Sequence, residues 1–188
     1  MEEIKKFMDN IYPMSNSDWD YFSAKLHKEK LNKKSVIIKT GEVENYLSFI
    51  TEGVVRLFIP HEESELTFGF VFENEFVTAY DSFITQTPSI YQIETLTKTS
   101  LWRISYEDLH SVYRETASGN LIGRRMAEKM FLIKSNREIS LLNKTAEERY
   151  MNLFLERPNL LKQVPLKYIA SYIGVTPQAL SRIRKRIT

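Results

Sequence analysis

Val164-Pro165-Leu166-Lys167-Tyr168-Ile169-Ala170-Ser171-Tyr172-Ile173-Gly174-Val175-Thr176-Pro177-Gln178-Ala179-Leu180-Ser181-Arg182-Ile183-Arg184-Lys185-Arg186-Ile187 decides how the chain is organised. Its spacing predicts two short helices joined by a tight turn. Ile169, Ala170 and Ile173 face inward on the first, and small Ala170 lets the second helix approach closely. Gly174 supplies the left-handed conformation that ends a helix. Thr176 then caps the second helix, with Pro177 at its first position, where no donor is missed. Leu180, Ile183 and Ile187 complete the apolar stripe, while Gln178, Ser181, Arg182 and Lys185 point the other way. This is a helix-turn-helix layout with polar residues at the start of a helix suited to a major groove. Arg182 can make two bonds to guanine N7 and O6, and Gln178 can do the same with adenine. Lys167, Tyr168 and Ser171, near the start of the first helix, are placed for phosphates. The alternative is a helical hairpin with an ordinary solvated face.

Charge supports the first reading. From Lys162 to Thr188 there are six basic residues and no acid, whereas the other 161 residues hold 20 basic and 24 acidic side chains. Eight glutamates fall between Glu42 and Glu75 against the single Arg56. An acidic body with a basic tail suggests that only the tail meets a polyanion.

Upstream, Ser17 can cap a short helix with Trp19, Phe22 and Leu26 on one face. Short apolar runs then read as strands: Val36 to Ile38, Tyr46 to Ile50, Val54 to Ile59, Leu66 to Phe72, Tyr91 to Leu96 and Leu101 to Ile104. Thr40-Gly41, Glu52-Gly53, Pro60-His61 and Glu73-Asn74 supply turns between them, as in a barrel, roll or sandwich. Ser105 can cap a helix with Asp108 three residues on. A longer helix follows over residues 120–143, with Ile122, Met126, Met130 and Ile133 as a narrow stripe and Leu121, Phe131, Leu132 and Ile139 largely off it. A helix apolar on more than one side can pack on its own domain and on a second copy of itself. Thr145-Ala146-Glu147-Glu148 is a capping box that starts a new helix, with Pro158 as its stop, which makes Asn143-Lys144 a hinge candidate.

Composition closes off other classes. In 188 residues, 43% are hydrophobic and 27% charged, which fits neither a disordered nor a membrane chain, and no apolar run approaches roughly 20 residues. The acids of Met1-Glu2-Glu3 stand where a secretory signal would be apolar, and a cytoplasmic protein is expected. The absence of cysteine excludes disulfides, iron–sulfur clusters, thiolate zinc and cysteine nucleophiles together. His27, expected on the first helix, His61 at a turn and His110 on a later helix lack ligand spacing, so neither a metal nor a catalytic site is expected. No Gly-rich phosphate loop, nucleophile elbow or His-Glu-x-x-His appears.

Taken together, these motifs resemble the Crp/Fnr family of bacterial transcription regulators over nearly the whole chain, and most resemble its short members common in the Bacteroidetes. Thr176 to Arg182 looks like the family's recognition-helix signature, and Thr40-Gly41-Glu42, Glu52-Gly53-Val54 and Asn74-Glu75-Phe76 sit where its roll has turns. The resemblance implies an α+β chain. Residues 1–144 would form an antiparallel β-roll, a double-stranded β-helix like those that bind cyclic nucleotides, with a dimerisation helix at about 120–143. Residues 145–188 would form a small all-α helix-turn-helix domain. Its partners would be a second copy of the chain and palindromic double-stranded DNA, not a membrane. The family's usual β-hairpin ahead of the helix-turn-helix is replaced by Leu160-Leu161-Lys162-Gln163.

Cyclic-nucleotide binders of the family place Gly-Glu at the start of a phosphate cassette and Arg-Ser or Arg-Thr near its end. A gapless match puts Thr78-Ala79 and Ser89-Ile90 there, so both the carboxylate and the cation are missing. Ser135 falls near a position that meets the base. The expectation is a degenerate effector pocket that does not bind cyclic AMP, with no cofactor. The competing expectation is a roll that serves as a ligand-sensing or protein-interaction module, whose basic tail reads no sequence.

Overall fold

In the computed structural model, residues 1–61, 65–157 and 160–187 are described; Pro158 lies outside them. The chain divides into two compact units, Met1–Arg56 with Phe70–Met130, and Leu57–Gly69 with Phe131–Thr188.

The first unit opens with α1 (Glu2–Ile11), whose Ile4, Phe7, Met8 and Ile11 recur at helical spacing. Helix α2 (Asn16–Ser23) is capped by Ser15, not Ser17, because the Ser15 hydroxyl accepts the Asp18 N–H at 3.1 Å. The chain then leaves the helix, and His27 stands at the head of strand β1 (His27–Leu31) rather than on a helix. Strands β2 (Val36–Ile38), β3 (Tyr46–Glu52), β4 (Val55–Pro60), β5 (Glu65–Val71), β6 (Glu75–Val77), β7 (Gln92–Thr95) and β8 (Thr99–Ser105) follow, with α3 (Tyr80–Thr85) between β6 and β7. They form two four-stranded sheets ordered β1-β8-β3-β6 and β2-β7-β4-β5. This is the expected antiparallel roll of an α+β chain.

Strand β3 is buried on both faces, so it reads as an apolar run rather than an alternation. Phe49 packs edge-on against Phe7 and Phe76, with centroids 5.5 and 4.9 Å away. This trio joins Ile4, Met8, Phe22, Leu26, Ile104 and Val112 in the core between sheet and helices. Gly53 cannot be replaced cheaply: its φ is +103°, and an added Cβ would meet the Lys98 carbonyl oxygen at 2.5 Å.

Helix α4 (Tyr106–Glu115) begins at its expected Ser105 cap. The long helix α5 (Gly119–Asn143) starts beside the buried Asp18, which accepts the Ser118 hydroxyl at 2.6 Å and its N–H at 2.9 Å. Those bonds, the hydroxyl first, hold the Asp18 carboxyl below the usual carboxylate range.

In the second unit, α6 (Ala146–Glu156) carries the expected capping box at Thr145 and Glu148. A four-residue helix, α7 (Leu160–Gln163), leads to α8 (Leu166–Tyr172) and α9 (Pro177–Ile187).

Candidate functional site

Helices α8 and α9 are joined at Gly174, whose φ of +77° ends α8 as the sequence requires. The Val175 N–H returns to the Ala170 carbonyl at 2.9 Å, and the Thr176 hydroxyl accepts the Ala179 N–H at 3.2 Å. Ile169, Ala170, Ile173, Leu180 and Ile183 are buried between the helices. Ile187, expected on the same stripe, is instead 37% exposed at the end of α9. Thr176, Pro177, Gln178, Ser181, Arg182 and Lys185 are exposed, and so is Lys167. Tyr168 is half-buried, with the Lys167 ammonium 4.7 Å from its ring centre. Ser171 differs from these. Its hydroxyl is engaged by the β4–β5 hairpin, a contact between residues more than one hundred apart in sequence that no local pattern signals.

Two arginines hold the end of α8. Arg137 from α5 donates to the Tyr172 carbonyl at 2.9 Å and stacks on that ring at 4.0 Å. Arg149 from α6 donates to the Ile173 carbonyl at 2.8 Å. Cations at these carbonyls suit the negative end of the helix.

In the roll, Ala79 is the N-cap residue of α3 and, like Thr78 and Ser89, is buried. Ile90 is 67% exposed and lines no interior. Ser135 is half-buried on the part of α5 that belongs to the second unit. The Ser89 hydroxyl is used within its own turn, donating to the Tyr91 carbonyl at 2.9 Å. Tyr91 in turn donates its phenol to Asp81 at 2.6 Å, and burial first, then that carboxylate, push the phenol upward.

Sequence reasoning missed Glu44. It is buried, and its carboxylate accepts the Tyr46 N–H at 3.0 Å and the Ala79 N–H at 3.4 Å. The chain's own carboxyl group therefore sits at the backbone of an expected pocket residue. Burial pushes its carboxyl above the usual range, against the pull of those N–H groups and of Arg103. Arg56 is fully buried and lies 2.7 Å from Glu94, so its charge is already met. Arg103 pairs with Glu29 at 2.8 Å.

On α5, Ile122 is only 4% exposed and belongs to the core of its own roll, and Met126 packs against that core. Ile122 thus presents no surface to a second copy. Met130 is half-buried, whereas Ile133 is 54% exposed. Leu132, Ile139 and Leu142 are also exposed, at 59%, 54% and 83%.

Among the described residues, no three histidine, aspartate or glutamate side chains converge as a metal site, and no helix is long and apolar enough to cross a membrane. His110 bonds the Tyr106 carbonyl at 2.8 Å and stacks on its ring.

Residues 28–116 match the cyclic nucleotide-binding domain family. That is the roll from β1 to the end of α4. Among curated proteins, no sequence matches the chain. Solved structures do. FixK2 from Bradyrhizobium japonicum is similar at TM-score 0.72 and 16% identity, over 86% of this chain and 84% of that one. The global regulator CLP of Xanthomonas campestris, described as responsive to c-di-GMP, aligns at 0.66 and 18%, over 92% and 91%. The catabolite activator protein of Thermus thermophilus aligns at 0.58 and 18%, over 94% and 85%. At such identities the likeness shows a shared fold.

Proposed function

We propose that this chain is a homodimeric, sequence-specific DNA-binding regulator of the Crp/Fnr type, not an enzyme, whose roll does not take cyclic AMP. One observation carries the reading. Exposed Gln178, Ser181 and Arg182 open α9, backed by buried Leu180 and Ile183, in a stretch of chain without an acid. That presents donors and acceptors to a major groove from a segment with no acid of its own. Selection from random duplex DNA with the purified chain tests it, and a palindromic motif is the expected product. Enrichment of no motif would leave the roll as an interaction module.

Within the selected site, Arg182→Ala should cost about 1–3 kcal/mol and relax preference at one base pair per half-site. Lys167→Ala should weaken every sequence alike and flatten the salt dependence by about one counterion per subunit. Equal loss of specific and non-specific binding in Arg182→Ala would make the tail a mere electrostatic handle.

The dimer seam we assign differs from the Ile122, Met126, Met130 and Ile133 stripe. Leu132, Ser135, Ile139 and Leu142 follow a 3-4-3 spacing, the repeat of a coiled-coil seam, and its three apolar members are exposed. A parallel pair of such helices would set two α9 helices in successive major grooves about 34 Å apart.

Cyclic AMP meets two obstacles. Ala79 and Ser89 provide neither the carboxylate nor the cation, and the Glu44 carboxyl group already accepts the Ala79 N–H. Titration calorimetry should show no saturable heat, and low-micromolar binding would reject this account of the pocket.

A further inference from the structure

Strand β5 and the first helix of the C-terminal pair are joined through the Ser171 hydroxyl. Among the described residues, strand β5 is the outer strand of the sheet β2-β7-β4-β5. Ser171 Oγ on α8 donates to the Glu65 carbonyl at 2.8 Å and accepts the Thr67 N–H at 2.8 Å. A carbonyl and the N–H two residues later point to the same side of a strand. The hydroxyl therefore takes the two groups that a residue of a further strand would take. Thr67 is fully buried at this contact. The hairpin is also held from α5, where the Lys134 ammonium lies 5.1 Å from the centre of the Phe68 ring. The hairpin tip Leu57–Gly69 accordingly belongs to the same compact unit as α8 and α9.

A serine hydroxyl has one proton to donate. In this arrangement Ser171 gives it to Glu65, so it has none for a phosphate oxygen. We propose that Ser171 is a latch: it fastens the β4–β5 hairpin to α8 in the DNA-free chain and must let go for α8 to settle on a phosphate backbone. Hairpin docking and DNA binding are then competing states of α8, and weakening the first strengthens the second by at most the factor lost. The coupling rests on the DNA-binding reading above, but the latch itself does not.

The test uses the intact chain with Ser171→Ala, which suits a helix, and Ser171→Thr, which keeps a hydroxyl. Amide hydrogen exchange at Thr67 reads the latch without DNA. Exchange should be about tenfold faster in the alanine variant and close to wild type in the threonine variant. Thr67 protection in the wild-type chain should likewise fall when the selected DNA is added. The alanine variant should bind that DNA about 3–10-fold tighter with an unchanged salt slope. A Thr67 amide that exchanges at the wild-type rate in Ser171→Ala overturns the latch. So does weaker DNA binding, which would make Ser171 a plain phosphate contact. If selection enriches no DNA motif, the regulator reading fails, and the exchange comparison alone decides on the latch.

Discussion

Leu132→Glu combined with Ile139→Glu should turn the protein into a folded monomer that no longer holds its palindrome. Both side chains are more than half exposed on α5, so acids there disturb no core of the single chain. In a parallel helix pair the same acids would face each other across the seam. Losing the partner removes one of two linked half-sites, and linkage of that kind is worth about 10²–10⁴ in apparent affinity. Sedimentation velocity and DNA titration of the double variant provide the check, with far-ultraviolet circular dichroism confirming the fold. A variant that still sediments as a dimer would place the interface elsewhere. Ile122→Glu is the instructive contrast. It forces a charge among Phe22, Phe49 and Val112, so it should unfold the roll instead of parting two folded chains.

Glu94→Ala should strongly destabilise the roll. Arg56 is fully buried on β4, 2.7 Å from Glu94 on β7, and the substitution removes that carboxylate while leaving the cation inside. Breaking such a pair from one side costs about 3–5 kcal/mol, and the 17% exposure of Glu94 argues for the lower end. Replacing both at once, Arg56→Met with Glu94→Leu, should recover most of that loss, because the buried charge leaves with its partner. Chemical denaturation of the three variants measures this. A loss below about 1 kcal/mol for Glu94→Ala would mean that the pair is more solvated than its geometry indicates.

The parts legible in the sequence were those governed by neighbours in sequence. Gly174, Thr176 and Pro177 fix the end of one helix and the start of the next within three residues, and both helices lie where that spacing put them. The capping residues Ser105 and Thr145 acted in the same local way. Strand β1 escaped notice because His27-Lys28-Glu29-Lys30-Leu31 has no apolar rhythm; β8 supplies its partner from seventy residues away. The helix α5 covers almost the expected residues, but its stripe divides: Ile122 is buried on the roll itself, whereas Ile133 is exposed, as are Leu132 and Ile139 off the stripe. Glu44 and Ser171 illustrate the remaining limit. Their partners, Ala79, Glu65 and Thr67, are brought to them only by the fold.

Arg149 gives the junction after α5 a mechanical character. Besides the Ile173 carbonyl at the end of α8, its guanidinium serves the Lys144 carbonyl just beyond the end of α5. At Asn143-Lys144, the hinge candidate of the sequence, one flat, rigid fork bonds the ends of two helices. A lysine there would have a single mobile ammonium on a flexible stem and would leave play between them. Arg149→Lys should therefore loosen the ends of both helices together, read as faster amide exchange in the last turns of α5 and α8.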